Sequence, residues 1–165
     1  MKIKHLVLAS VMIVSFSTFA QKDELKSLKK IYEKQTFTDK DIVEYKASLV
    51  KAEPLMSAAN ESDKVYFDYY KAVAPFLEMK LAYTKPENAG NAKLSNNFFT
   101  PEKIAELAKN LNAVKEYEKK SGKALLTKSI DDGVAQAKPF IVNYAVGLGE
   151  EKKYKEARSE EHTSE

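Results

Sequence analysis

Apolar residues return at intervals of three and four along nearly all of the chain, and this periodicity predicts one helix after another. Leu25, Leu28, Ile31 and Tyr32 make the first stripe, through Asp23 to Lys34. Thr36-Phe37-Thr38 interrupts it. Thr38 and Asp41 have the spacing of a capping box, which opens a second helix carrying Ile42, Tyr45, Leu49, Ala52 and Met56. Pro54 should kink or end that helix, since its ring removes a donor and clashes with the preceding turn. A third helix is predicted from near Ser62 to about Tyr83. Val65, Tyr66, Tyr69, Tyr70, Val73, Phe76 and Leu77 give it a broad apolar face, and Pro75 inside it predicts a kink.

From Thr84 to Phe99 the periodicity stops, in a stretch rich in Asn, Lys and Gly that is longer than ordinary helix connections. Thr100-Pro101-Glu102 restarts it: Thr100 caps, Pro101 suits the first turn, and Phe99 can staple onto Ile104. The stripe of this fourth helix, Ile104, Leu107, Leu111 and Val114, is narrow, and Ser121-Gly122 stops it. A fifth helix from about Thr127 to Leu148 carries Ile130, Val134, Ala137, Ile141, Tyr144 and Leu148. Gly149 is expected to end it and Lys152 to Ala157 to begin a sixth. No stretch alternates with period two, so the fold class is all-α.

The two ends have a different character. Lys2, Lys4 and His5 precede an uncharged, largely apolar run from Leu6 to Phe19, and Thr18-Phe19-Ala20 offers small residues where a signal peptidase reads. The run falls short of the ~20 residues a bilayer span needs. The expectation is a signal peptide over residues 1–20, cleaved after Ala20, with no integral membrane segment left and a periplasmic or secreted destination. At the other end, Arg158 to Glu165 can be encoded by AGATCGGAAGAGCACACGTCTGAA, the start of an adapter common in short-read DNA sequencing. Arg158 is the only arginine and His162 the only histidine beyond the leader. Residues 158–165 therefore read as translated adapter, and 21–157 as one helical domain cut before its natural end.

Composition narrows the chemistry. A net charge of +3 from abundant lysines and acids describes solvated helix faces, and without the planar fork of arginine a nucleic-acid footprint is not expected. The chain has no cysteine, so burial alone must hold an exported fold together. With cysteine absent and histidine confined to the two ends, zinc and copper lose their usual ligands and serine–histidine or cysteine–histidine triads are excluded from 21–157. No cofactor, metal or catalytic residue is expected.

Ile141, Tyr144, Ala145 and Leu148 place large, large, small and large residues at the spacing of the first helix of a tetratricopeptide repeat, with Tyr154 and Ala157 where the second helix would begin. Tyr70, Val73, Ala74 and Leu77 repeat the signature. Together with the leader that ends in Ala20-Gln21-Lys22, the chain resembles exported bacterial tetratricopeptide-repeat proteins. The turn glycine before Tyr154 is displaced to Gly149, and the long loop breaks the 34-residue period. The resemblance implies antiparallel helical hairpins stacked as a solenoid.

Four constellations are candidate sites. Asp131-Asp132-Gly133 lacks the further oxygen ligands of a calcium loop and reads as helix surface, and Glu150-Glu151 suits the start of a sixth helix. Tyr66, Phe67, Tyr69 and Tyr70 form either a stacking surface for sugar or peptide or, preferred, aromatic wedges between helices. Asn96, Asn97 and Phe98, with Asn91, offer amides and an aromatic in the long loop, as a binding loop would, although a flexible insertion is preferred. The candidate partner-binding residues are thus Tyr66, Tyr69, Tyr70, Asn96, Asn97 and Phe98. The functional expectation is a non-enzymatic interaction scaffold for another envelope protein or a peptide. The alternative is a carbohydrate-binding or accessory domain of a larger envelope enzyme.

Overall fold

The structure is a computed structural model that describes residues 20–88, 91 and 93–161. Residues 1–19, on which most of the expected signal peptide over 1–20 falls, and 162–165, the last residues of the tail expected to be adapter, lie outside the described residues. Five α-helices and short 3-10 turns make up the described chain, and no strand occurs in it. Helix α1 spans 20–32, α2 Asp39–Ala52, α3 Glu61–Tyr83, α4 Pro101–Ser121 and α5 Thr127–Glu161. The all-α class holds, and local chemistry accounts for most of the boundaries.

Thr38 closes the predicted capping box: its hydroxyl accepts from the Asp41 amide at 3.3 Å, and the Asp41 carboxylate accepts from the Thr38 amide at 2.9 Å. Hydrogen bonds from Lys34 and Thr38 hold the Asp41 carboxyl down to about 2. Pro54 ends α2 by turning the chain into a 3-10 segment, Glu53–Ala58. Asn60 caps α3, whose helix continues through Pro75. Thr100 caps α4 with Pro101 in its first turn, and Gly122 ends it in the left-handed region at φ 67°. A Cβ at Gly122 would meet nothing within 4 Å, so Gly122→Ala carries a purely conformational cost of about 1 kcal/mol. Urea denaturation should show a lowered midpoint with an unchanged slope; an unchanged midpoint would refute the assignment.

Successive helices pair antiparallel. Ion pairs Asp39–Lys85, Glu78–Lys46 and Glu53–Lys71 tie α2 and the residue after it to α3 and the turn that follows it, each seven-residue step forward in one matched by seven residues back in the other. These pairs are exposed and record register more than they stabilise. Lys51–Glu24 and Lys34–Asp41 relate α1 to α2 in the same sense. Tyr66 of α3 meets Tyr117 and Glu118 near the end of α4, so that pair is antiparallel too. Helix α3 is central, packed along α2 on one side and α4 on the other. Its buried Tyr66, Phe67, Tyr69, Tyr70, Val73, Phe76 and Leu77 fill the space between them, joined by Leu28 and Ile31 of α1 and Tyr45 of α2.

One boundary differs from expectation. Gly149 does not end the fifth helix, and Lys152 to Ala157 is not a separate sixth helix: α5 is continuous from Thr127 to Glu161, through Pro139, Gly147 and Gly149. Among the described glycines only Gly122 takes positive φ, so Gly149 makes no left-handed stop. The residues after it, Glu-Glu-Lys-Lys-Tyr-Lys-Glu-Ala, are mostly strong helix formers, with Glu151 four residues ahead of Lys155. Helix propensity carries the segment on, so the turn a hairpin needs between Leu148 and Tyr154 is absent, and Glu150-Glu151 lies mid-helix.

Candidate functional site

The tyrosines singled out in the sequence come together inside the molecule. Tyr69 and Tyr70 pack their rings against Tyr32 at 5.6 and 5.9 Å, and Tyr66 meets Tyr117 edge-on at 6.0 Å. Tyr66, Tyr69 and Tyr70 are all buried, so none of these rings offers a face to solvent. Their hydroxyls are engaged or enclosed. Tyr32 donates to the Ser129 carbonyl at 3.2 Å; with its one hydrogen committed, Tyr69 donates to Tyr32 at 2.7 Å. Burial pushes the phenols of Tyr45, Tyr69 and Tyr70 above their ordinary value, which keeps them neutral.

The loop residues lie elsewhere, between α3 and α4. Asn97 is exposed, while Asn96 and Phe98 are half-buried. Rather than a free insertion, the loop is anchored: Leu94, Ser95 and Phe99 are buried, and 3-10 turns Pro86–Asn88 and Leu94–Asn97 shape it. Phe98 lines a cleft of about 450 Å³ with Ile42, Val43 and Leu81, rimmed by the Asp39–Lys85 pair. Of the six candidate residues, Tyr66, Tyr69 and Tyr70 lie in the core and Phe98 lines this cleft, while Asn96 and Asn97 stay in the loop outside its lining.

Glu118 was not distinguished by sequence, where it stands in a run of charges, Lys-Glu-Tyr-Glu-Lys-Lys. It is 2% exposed and bridges three helices. Its carboxylate accepts from the Leu126 amide at 2.7 Å, the Thr127 amide at 3.0 Å and the Thr127 hydroxyl, which caps the first turn of α5. The Tyr66 hydroxyl donates to it from α3 at 3.0 Å. Burial works against the ionised form, yet the bonds from Thr127, Leu126 and Tyr66 outweigh it and hold the carboxyl below its ordinary range. Only the four-residue interval to Gly122 hinted at this role, because it places Glu118 in the last turn, beside whatever follows the stop.

An apolar cavity of about 190 Å³ lies between α3, α4 and α5. Tyr69, Val73 and Phe76 form one wall, Ile104, Leu107 and Leu111 a second, and Ile130, Gly133, Ala137 and Ile141 the third. A second, polar cleft of about 460 Å³ shares Tyr32, Phe76 and Gly133 with it and is bordered by Glu33, Lys34, Lys80 and Asp132. Asp131 turns outward and pairs with Lys115, while Asp132 borders the cleft and Gly133 lines the cavity.

Helix α5 also keeps apolar side chains in solvent. Val142 and Val146, one turn apart, are 50% and 54% exposed. Leu148 continues the buried row Ile130, Ala137 and Tyr144, yet is 39% exposed. No helix among the described residues is long and apolar enough to cross a membrane. No protein-family model, curated protein or solved structure matches the chain.

Proposed function

We propose that the protein is a non-enzymatic, exported interaction module, made of helical hairpins akin to degenerate tetratricopeptide repeats, in which α5 receives a partner protein of the envelope. One observation carries this reading: α5 presents Val142 and Val146 as an apolar row on its outer side, and on its inner side Leu148 extends the core stripe past its cover. A single exposed valine means little, but adjacent apolar residues on one helix side form the kind of patch that partners cover. The buried tyrosines favour a packing role over sugar stacking at that cluster. The antiparallel pairing of successive helices agrees with the hairpin architecture, while the unbroken α5 departs from the repeat signature at its most repeat-like stretch.

The test is site-specific photocrosslinking in an exporting host. A crosslinker at Val142 or Val146 should give a discrete adduct, and one at exposed Val50 on α2 should give none. The adduct should vanish when the neighbouring valine is changed to Asp, with thermal unfolding unaltered. Equal labelling from all three positions would sink the proposal. Export is checked separately, since the recovered protein should begin at Gln21; retention of Met1 would remove that part alone.

A further inference from the structure

We propose that the cavity between α3, α4 and α5 is a binding site for a small, uncharged, apolar molecule of about single-ring size, independent of the partner surface on α5. The space exists because of what stands on its walls and what holds them apart. Helix α5 contributes Gly133 and Ala137 to it, one turn apart, where larger side chains would fill the gap. At one end α5 is fixed by the Glu118 cap and by the Tyr32 hydroxyl on the Ser129 carbonyl. At the other, the rings of Tyr83 and Phe140 meet at 4.9 Å and space α5 from α3. Propped at both ends, the helices do not close over the middle.

The lining decides the ligand class. Ile130, Val73, Tyr69 and Ala137 form a buried floor, while half-buried Ile104, Leu107 and Leu111, with Val134 at 45% exposure, form a rim. The only side-chain polar atoms in the walls are the two phenol oxygens, and these are already bonded to each other and to Ser129. A water in this space would have few partners, whereas an apolar molecule would displace it at little loss. Charge is excluded by the cost of taking an ion into such walls. Size follows from volume: apolar cavities of about 150 Å³ hold benzene, so 190 Å³ accepts a substituted ring or a compact branched alkane. The adjoining cleft, which shares Tyr32, Phe76 and Gly133 with the cavity, gives a route in from solvent.

The experiment uses the full chain with toluene as the probe. Toluene should raise the melting temperature by several degrees in a saturable way, because a ligand that binds only the folded state stabilises it by mass action. Intermolecular nuclear Overhauser effects should run from toluene protons to methyls of Val73, Ile104, Leu111 and Ile130. Ala137→Leu, which places a larger side chain in the void, should melt higher than the original chain without ligand and lose the toluene response. Absence of a saturable shift, of those Overhauser contacts, or of any difference in response between Ala137→Leu and the original chain would each overturn the assignment. If Ala137→Leu fails to fold, the Overhauser measurement on the unchanged protein decides alone.

Discussion

Replacing buried Glu118 with alanine should lower the folding stability by about 3 kcal/mol. The loss has an identifiable origin. Four donors converge on this carboxylate: the amides of Leu126 and Thr127, the Thr127 hydroxyl and the Tyr66 hydroxyl. Truncation leaves them without their acceptor beside the buried Leu126 and Ile130. Tyr66→Phe removes one donor and should cost about 1 kcal/mol, because both partners are then accounted for: the carboxylate retains its cap bonds. Glu118→Gln should fall between, since its amide nitrogen must turn a donor toward another donor.

Acid supplies an independent check. The Glu118 carboxyl sits below its ordinary range in the folded protein, so the unfolded chain binds the proton more readily. Its contribution is therefore complete above the unfolded-state value and is lost as pH falls through the lower, folded value. Asp41, held at about 2, acts in the same direction, its contribution lost as pH falls toward that value. Stability measured by urea at descending pH should decline in the original chain, and less steeply in Glu118→Gln. Parallel pH profiles for the two proteins would show that Glu118 is not the group responsible.

The second large effect is expected at Tyr45, where two substitutions separate packing from hydrogen bonding. Tyr45 is 1% exposed, and its hydroxyl donates to the Tyr70 carbonyl of α3 at 2.8 Å. Tyr45→Ala should cost about 4 kcal/mol, because a whole ring is withdrawn from between α2 and α3. Tyr45→Phe keeps the ring and should cost about 1 kcal/mol, the ordinary net worth of one such bond. Equal losses in the two variants, read from denaturant midpoints, would mean that the bond and not the ring holds this contact. The ion pairs that run alongside it between α2 and α3 should matter much less, since water screens them.

Helix positions were legible wherever the information is local. Thr38 and Asp41, Thr100 and Pro101, and Gly122 mark boundaries through bonds or dihedrals made within a few residues. The exception, Gly149, is instructive for the same reason. A glycine permits a left-handed turn without requiring one, and α5 runs on through it. The loop from Thr84 to Phe99 was opaque in a different way. Its lack of period concealed that Leu94, Ser95 and Phe99 are buried, since 3-10 turns place single residues on the core without repeating.

The sequence by itself determined the all-α class, the capping signals and the apolar stripes, because each depends on spacing along one helix. Which stripe would meet which, and how closely, was decided only in three dimensions. The tyrosine face of α3 became a core because α1, α2 and α4 close over it, so the tyrosines that were candidates for a stacking surface meet one another. Glu118 became a cap because chain reversal after Gly122 brings the α5 amides to it, while its neighbours in the same charged run remain in water or at its edge. The cavity needed still more: Gly133 and Ala137 are merely small in the sequence, and become a wall once Tyr83, Phe140 and Glu118 set the distance at which α5 stands. Burial and separation depend on distant partners, and a periodic pattern carries no record of them.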